Sequence, residues 1–166
     1  MELITTHWHQ IIFSEVENGE TKVRVVVPAP DSQRNGETED DFLTRVQSRS
    51  VPDGATNIQI IEDSDVPTDR TFRDAWKATE KVIDVDMPKA RVIKTELVRQ
   101  ERNEKFKPFD DAFRLADEKG DADARKAIGD KRQALRDMPA TIQDDLNKLD
   151  TPDKLKAFNP SWPDNP

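Results

Sequence analysis

MPKARVIKTELVRQERNEKFKPFDDAFRLADEKGDADARKAIGDKRQALRDM, residues 87–138, decides the fold. Its first part sets Ala90, Ile93 and Leu97 at helical spacing, and after a polar gap Phe106, Phe109, Phe113 and Ala116 resume the stripe. Its second part sets Ala124, Ile128, Leu135 and Met138 on one face, with Lys131 at the missing step. Between them stands Lys119-Gly120-Asp121: a glycine suited to the left-handed residue that ends a helix, then an aspartate able to cap the next one. So short a linker makes the two helices antiparallel neighbours. Pro108 removes one helical hydrogen bond and crowds the preceding turn, which predicts a kink, or two helices meeting near Phe106. Nothing in this hairpin has the pattern of a catalytic centre.

Downstream, Ile142, Leu146 and Leu149 predict a third helix over residues 141–149. Thr151-Pro152-Asp153 repeats a cap-plus-proline start and predicts a last short helix through Phe158. Residues 159–166, Asn-Pro-Ser-Trp-Pro-Asp-Asn-Pro, predict an extended tail with one aromatic anchor, Trp162. Upstream of the hairpin, Ile11, Ile12, Phe13 and Val16 lead into Asn18-Gly19, the strongest short signal for a hairpin turn. On the return strand Val23, Val25 and Val27 alternate with Lys22, Arg24 and Val26, which predicts one buried and one mostly solvated face. Thr38, followed by three acids, starts a helix through Phe42, Leu43 and Val46, ending near Ser48. Ile58, Ile60 and Ile61 supply a third strand, and a further short strand fits residues 82–85. The expected class is α+β, with four parts. These are an acidic β-β-α-β domain (1–66), a junction (67–86), a helical hairpin domain with one or two short C-terminal helices (87–158) and a proline-rich tail (159–166).

Of the 166 residues, 34% are hydrophobic and 36% charged, so any core is thin. Marginal stability, relieved by a partner or by self-association, is the expectation. The net charge of −8 falls on residues 1–66, with five Lys or Arg against thirteen Asp or Glu; the remainder balances. That distribution repels nucleic acid and anionic membrane from the N-terminal part. Cysteine is absent, which excludes disulfide frameworks and thiolate chemistry. No apolar run approaches the roughly 20 residues that span a bilayer, and the N-terminus lacks the pattern of a signal peptide.

Motifs for chemistry are sparse. His7-x-His9 could share a strand face, but no third metal ligand stands at a known spacing, and an ordinary hairpin surface over Trp8 is the plainer reading. The Asp- and Glu-rich runs lack the glycine and terminal glutamate of a calcium loop. There is no phosphate-binding glycine loop and no nucleophile elbow. Neither a cofactor nor a metal is expected. A basic set on the two long helices includes Arg91, Lys94, Arg99, Arg102 and Lys105 on the first and Arg125, Lys131, Arg132 and Arg136 on the second. Interleaved acids, with Glu101–Lys105 and Asp121–Arg125 at i,i+4 spacing, make it read as a salt-laced surface before a nucleic-acid site. Phe72 and Trp76, among charges, read either as docking anchors or as residues that close the domains together.

The order of several strings is familiar. Arg-Thr-Phe-Arg-Asp-Ala-Trp (70–76) precedes Val-Asp-Met-Pro-Lys-Ala-Arg (85–91) and the arginine-rich helix with Pro108 and Phe109-Asp110. Lys-Arg-Gln-Ala-Leu-Arg-Asp (131–137) and Thr-Pro-Asp-Lys-Leu-Lys-Ala (151–157) follow. Over roughly residues 70–158 the chain resembles the tail-assembly-chaperone-like domain of bacteriophages. The resemblance implies a non-enzymatic phage protein that binds tail or tail-fibre proteins. It would sit in the virion tail or in the host cytoplasm during assembly, and self-association as a trimer or hexamer in a particle would be natural. The expected partner-binding residues are Phe72, Trp76, Phe109, Phe113 and Trp162 as anchors, with Arg99 and Arg102 at the rim. The alternative is a nucleic-acid-associated protein using the basic hairpin face.

Overall fold

The computed structural model describes residues 9–166; His7 and Trp8 lie outside the described residues, and of the histidine pair only His9 is described, its Nδ1 2.6 Å from Glu39 Oε1. The chain divides into two compact units at the Asp86–Met87 bond.

In the first unit, β1 (His9–Glu17) pairs antiparallel with both β2 (Glu20–Val26) and β3 (Thr56–Glu62), giving the order β2-β1-β3. Asn18 and Gly19 both take positive φ, 54° and 81°, so the turn signal is realised as a two-residue hairpin loop. Against Phe13, β3 carries an extra residue, and Asn57 accommodates this bulge at φ 51°. Helix α1 (Glu39–Ser50) starts where the cap signal placed it: the Asp41 amide donates to Thr38 Oγ1 at 3.2 Å, and the Thr38 hydroxyl donates to the Asp41 carboxylate at 2.7 Å. Its Phe42 and Leu43 are buried, as are Ile11 and Phe13 on the same sheet face.

The opposite face carries Val23 and Val25 of β2 and is buried, as the alternation predicts. A second hairpin, β4 (Trp76–Thr79) with β5 (Val82–Val85), covers it. Ile12, Val23 and Ile61 from the sheet pack there with Val66, Trp76 and Ile83. Residues 67–86, read as a junction, thus supply Trp76 and Ile83, two of the six buried residues of this core. Because β1 is central and covered on both sides, Gln10 through Ser14 are all buried.

The loop before α1 is held by Arg45, which donates from Nε and Nη2 to the Glu37 carboxylate at 2.6 and 2.7 Å and from Nη2 to the Ser32 carbonyl at 3.0 Å. These bonds, with one from the Arg34 amide, draw the Glu37 carboxyl from 4.5 down to about 2. A carboxyl depressed in the folded state stabilises fully above its unfolded value and loses that contribution as pH falls through the folded one. Wild type and Glu37→Gln should therefore differ in urea midpoint near neutral pH and converge as pH drops from 4.5 to about 2.

In the second unit α2 (Met87–Glu118) and α3 (Ala122–Thr141) form the antiparallel hairpin. Helix α2 continues through Pro108 as one element, not two. A single missing hydrogen bond is outweighed by the ladder on either side and by burial of Phe109 immediately after it. At the corner, Gly120 (φ 68°) donates to Asp117 O at 3.0 Å and Asp121 donates to Ala116 O at 2.9 Å, a Schellman pair. Asp121 Oδ1 accepts from the Ala124 amide, so Arg125 pairs not with Asp121 but with Asp117, at 2.7 Å.

Two glycines make opposite predictions. Gly120→Ala forces a left-handed residue with a Cβ and should cost about 1–2 kcal/mol. Gly129 lies inside α3, and a Cβ there would meet Phe113 Cε2 at an ordinary 3.7 Å. Gly129→Ala should therefore stabilise by up to about 1 kcal/mol through helix propensity. Urea denaturation of both variants checks the two signs.

Helices α4 (Gln143–Lys148) and α5 (Pro152–Ala157) fold back on the first half of α2, burying Ile142, Leu146 and Leu155. Thr151 caps α5, accepting from the Lys154 amide at 3.3 Å. The fold-back shifts which residues of α2 are buried. Val98 is 2% exposed, whereas Leu97, expected in the stripe, is 40% exposed.

Candidate partner-binding face of the helical hairpin

The seven residues expected to bind a partner fall into three settings. Phe72 and Trp76 are buried in the first unit, Trp76 inside its core and beneath the Arg70 guanidinium. Strand alternation explains this, since Trp76 and Ala78 point inward while Lys77 and Thr79 carry the charge and polarity outward. Phe109 is 1% exposed in the hairpin. The remaining four are accessible in part or in full: Arg99 is exposed, and Arg102, Phe113 and Trp162 are half-buried.

Three of those four, Arg102, Phe113 and Trp162, take part in cation–aromatic contacts along the hairpin. Arg132 stands 4.6 Å over the Phe113 ring and pairs with Asp110 at 2.7 Å. Arg102 stands 5.9 Å over Phe106. Lys105 Nζ lies 5.0 Å over Trp162, and Lys131 Nζ donates to Asn165 O at 3.3 Å. The extended tail is therefore laid back along both long helices, with Pro160 buried. Contacts of this kind contribute about 0.5–1 kcal/mol each at exposed sites.

Much of the basic set is already in use. Arg91 donates from Nε to Leu146 O at 3.0 Å and from Nη2 to Leu149 O at 2.8 Å, satisfying carbonyls at the end of α4. Lys94 donates to Lys156 O at the end of α5, and burial pushes its ammonium below the ordinary lysine range. Lys105 pairs with Glu101 at 3.5 Å and Lys126 with Asp130 at 2.8 Å.

Between the start of α2, the end of α3 and α4 runs an open groove of about 700 Å³. Val92 and Arg99 line it from α2, Arg136, Pro139 and Ala140 from α3, and Gln143 from α4. Gln143 holds the corner, its Nε2 donating to Pro139 O at 2.6 Å and to Thr95 Oγ1 at 3.2 Å. Arg99 and Arg136 were visible in the sequence as members of the basic set. Their convergence with Val92 was not, because it depends on α4 folding back. Among the described residues no group of three or more His, Cys, Asp or Glu is placed to hold a metal ion. No described helix is long and apolar enough to cross a membrane.

No curated protein and no solved structure matches the chain. A family model does match, over less than half of the chain. The matched segment begins within α2, so the strings at 70–76 and 85–91 lie outside it, and it includes the tail beyond residue 158. The resemblance stands in the C-terminal region: residues 95–166 match the model of the phage tail assembly chaperone protein family.

Proposed function

We propose that this protein serves bacteriophage tail assembly without catalysis, by binding tail or tail-fibre proteins through its helical hairpin. The observation that carries this reading is the family match over residues 95–166, which spans most of the hairpin, both short helices and the tail. The hairpin's chemistry supports it. Several of its basic side chains are paired with carboxylates, Lys105 with Glu101, Lys126 with Asp130 and Arg132 with Asp110, which favours a protein partner over nucleic acid. The acidic first unit would dock or multimerise, and the protein would act in the host cytoplasm or remain in the virion tail. Deleting the gene from the source phage should leave heads without functional tails under the electron microscope, and supplying the full chain in trans should restore them. Normal tails in the deletion would remove the proposal.

A further inference from the structure

We infer that the groove between α2, α3 and α4 docks an acidic peptide segment of a tail protein, with carboxylates on Arg99 and Arg136 and a small apolar side chain on Val92, Pro139 and Ala140. The inference rests on the tail-protein reading above and names the surface and the chemistry it would use.

Charge complementarity identifies the occupant. Arg91, Arg99 and Arg136 line the groove, and none of the described residues lining it is a carboxylate. Arg91 and Arg136 bond to uncharged groups: the carbonyls of Leu146 and Leu149, and the Gln133 amide oxygen at 3.2 Å. Neither bond neutralises a charge. Arg99 alone meets a carboxylate, Glu96 at 3.2 Å, and both side chains are more than half exposed, so exchange for an incoming carboxylate costs little. Guanidinium groups hold carboxylates with paired, directional hydrogen bonds.

The apolar part of the lining selects peptide over polynucleotide. Val92 is 68% exposed, and Pro139 and Ala140 lie across from it. Such a surface offers nothing to a phosphate backbone, but accepts an aliphatic side chain between two acids. The volume, about 700 Å³, suits a few residues of peptide.

The test uses the full chain against overlapping peptides tiling the tail proteins of the source phage, and against those tail proteins purified whole. Bound peptides should be rich in aspartate and glutamate, and binding should weaken as salt is added. Arg99→Glu with Arg136→Glu should lower affinity about tenfold or more, while Arg99→Lys with Arg136→Lys, which keeps the charge but loses the paired hydrogen bonds, should lower it by less. Val92→Asp, at an exposed position that leaves the fold intact, should weaken binding similarly. Unchanged affinity in the charge-reversed and Val92→Asp variants, with whole tail proteins still bound, would overturn the groove and leave the functional proposal standing. Wild type that bound no whole tail protein would overturn both. If charge reversal instead abolished DNA retention or self-association, the groove would belong to nucleic acid or to a second copy, and the inference would be wrong.

Discussion

Alanine in place of Trp76 should destabilise the first unit by about 3–5 kcal/mol, enough to unfold a marginal domain. The indole is 3% exposed and fills the space between the β4–β5 hairpin and the sheet, against Ile12, Val23, Ile61, Val66 and Ile83. No neighbour can collapse into a void of that size, since the strands around it are fixed by their ladders. Far-UV circular dichroism in urea reads the effect. The competing role for Trp76, an anchor for a partner, makes the opposite prediction: an unchanged midpoint and weakened binding.

Phe109→Ala should cost the second unit a comparable 3–5 kcal/mol. Phe109 is 1% exposed and comes directly after Pro108, where α2 has lost a backbone hydrogen bond. Its burial carries the helix through that position as one element. Loss of helical signal in Phe109→Ala beyond that in Leu115→Ala, a half-exposed position on the same helix, would be the expected result. Equal, small losses would mean that Phe109 does not hold the helix through the proline.

Where local chemistry specified the chain, the sequence was easy to read. Asn18-Gly19, the Thr38 cap, Gly120-Asp121 and Thr151-Pro152 each act within a few residues, and the structure uses all four as turns or caps. The α+β class and the hairpin followed from them. What could not be read depended on which distant element covers a surface. The first half of α2 carries two overlapping apolar stripes, one through Leu97 and one through Val98, and only the return of α4 and α5 decides that Val98 is buried. Likewise, an alternating strand such as β2 shows that one face is apolar but not that β4–β5 will cover the sheet. For the candidate site, the arginines were legible and the groove was not. Arg91 and Lys94 looked like surface charge because helix ends that need donors were still 55 and 62 residues away in the chain.

Binding of a tail protein during assembly is the step on which the proposed function stands. Quantitative mass spectrometry of purified particles, and of complexes drawn with the full chain from infected lysate, tests it most directly. The chain is expected in stoichiometric association with a tail or tail-fibre protein, either in particles at a multiple of three or six copies or in the lysate alone. Absence from particles together with no tail protein in the complexes would contradict it.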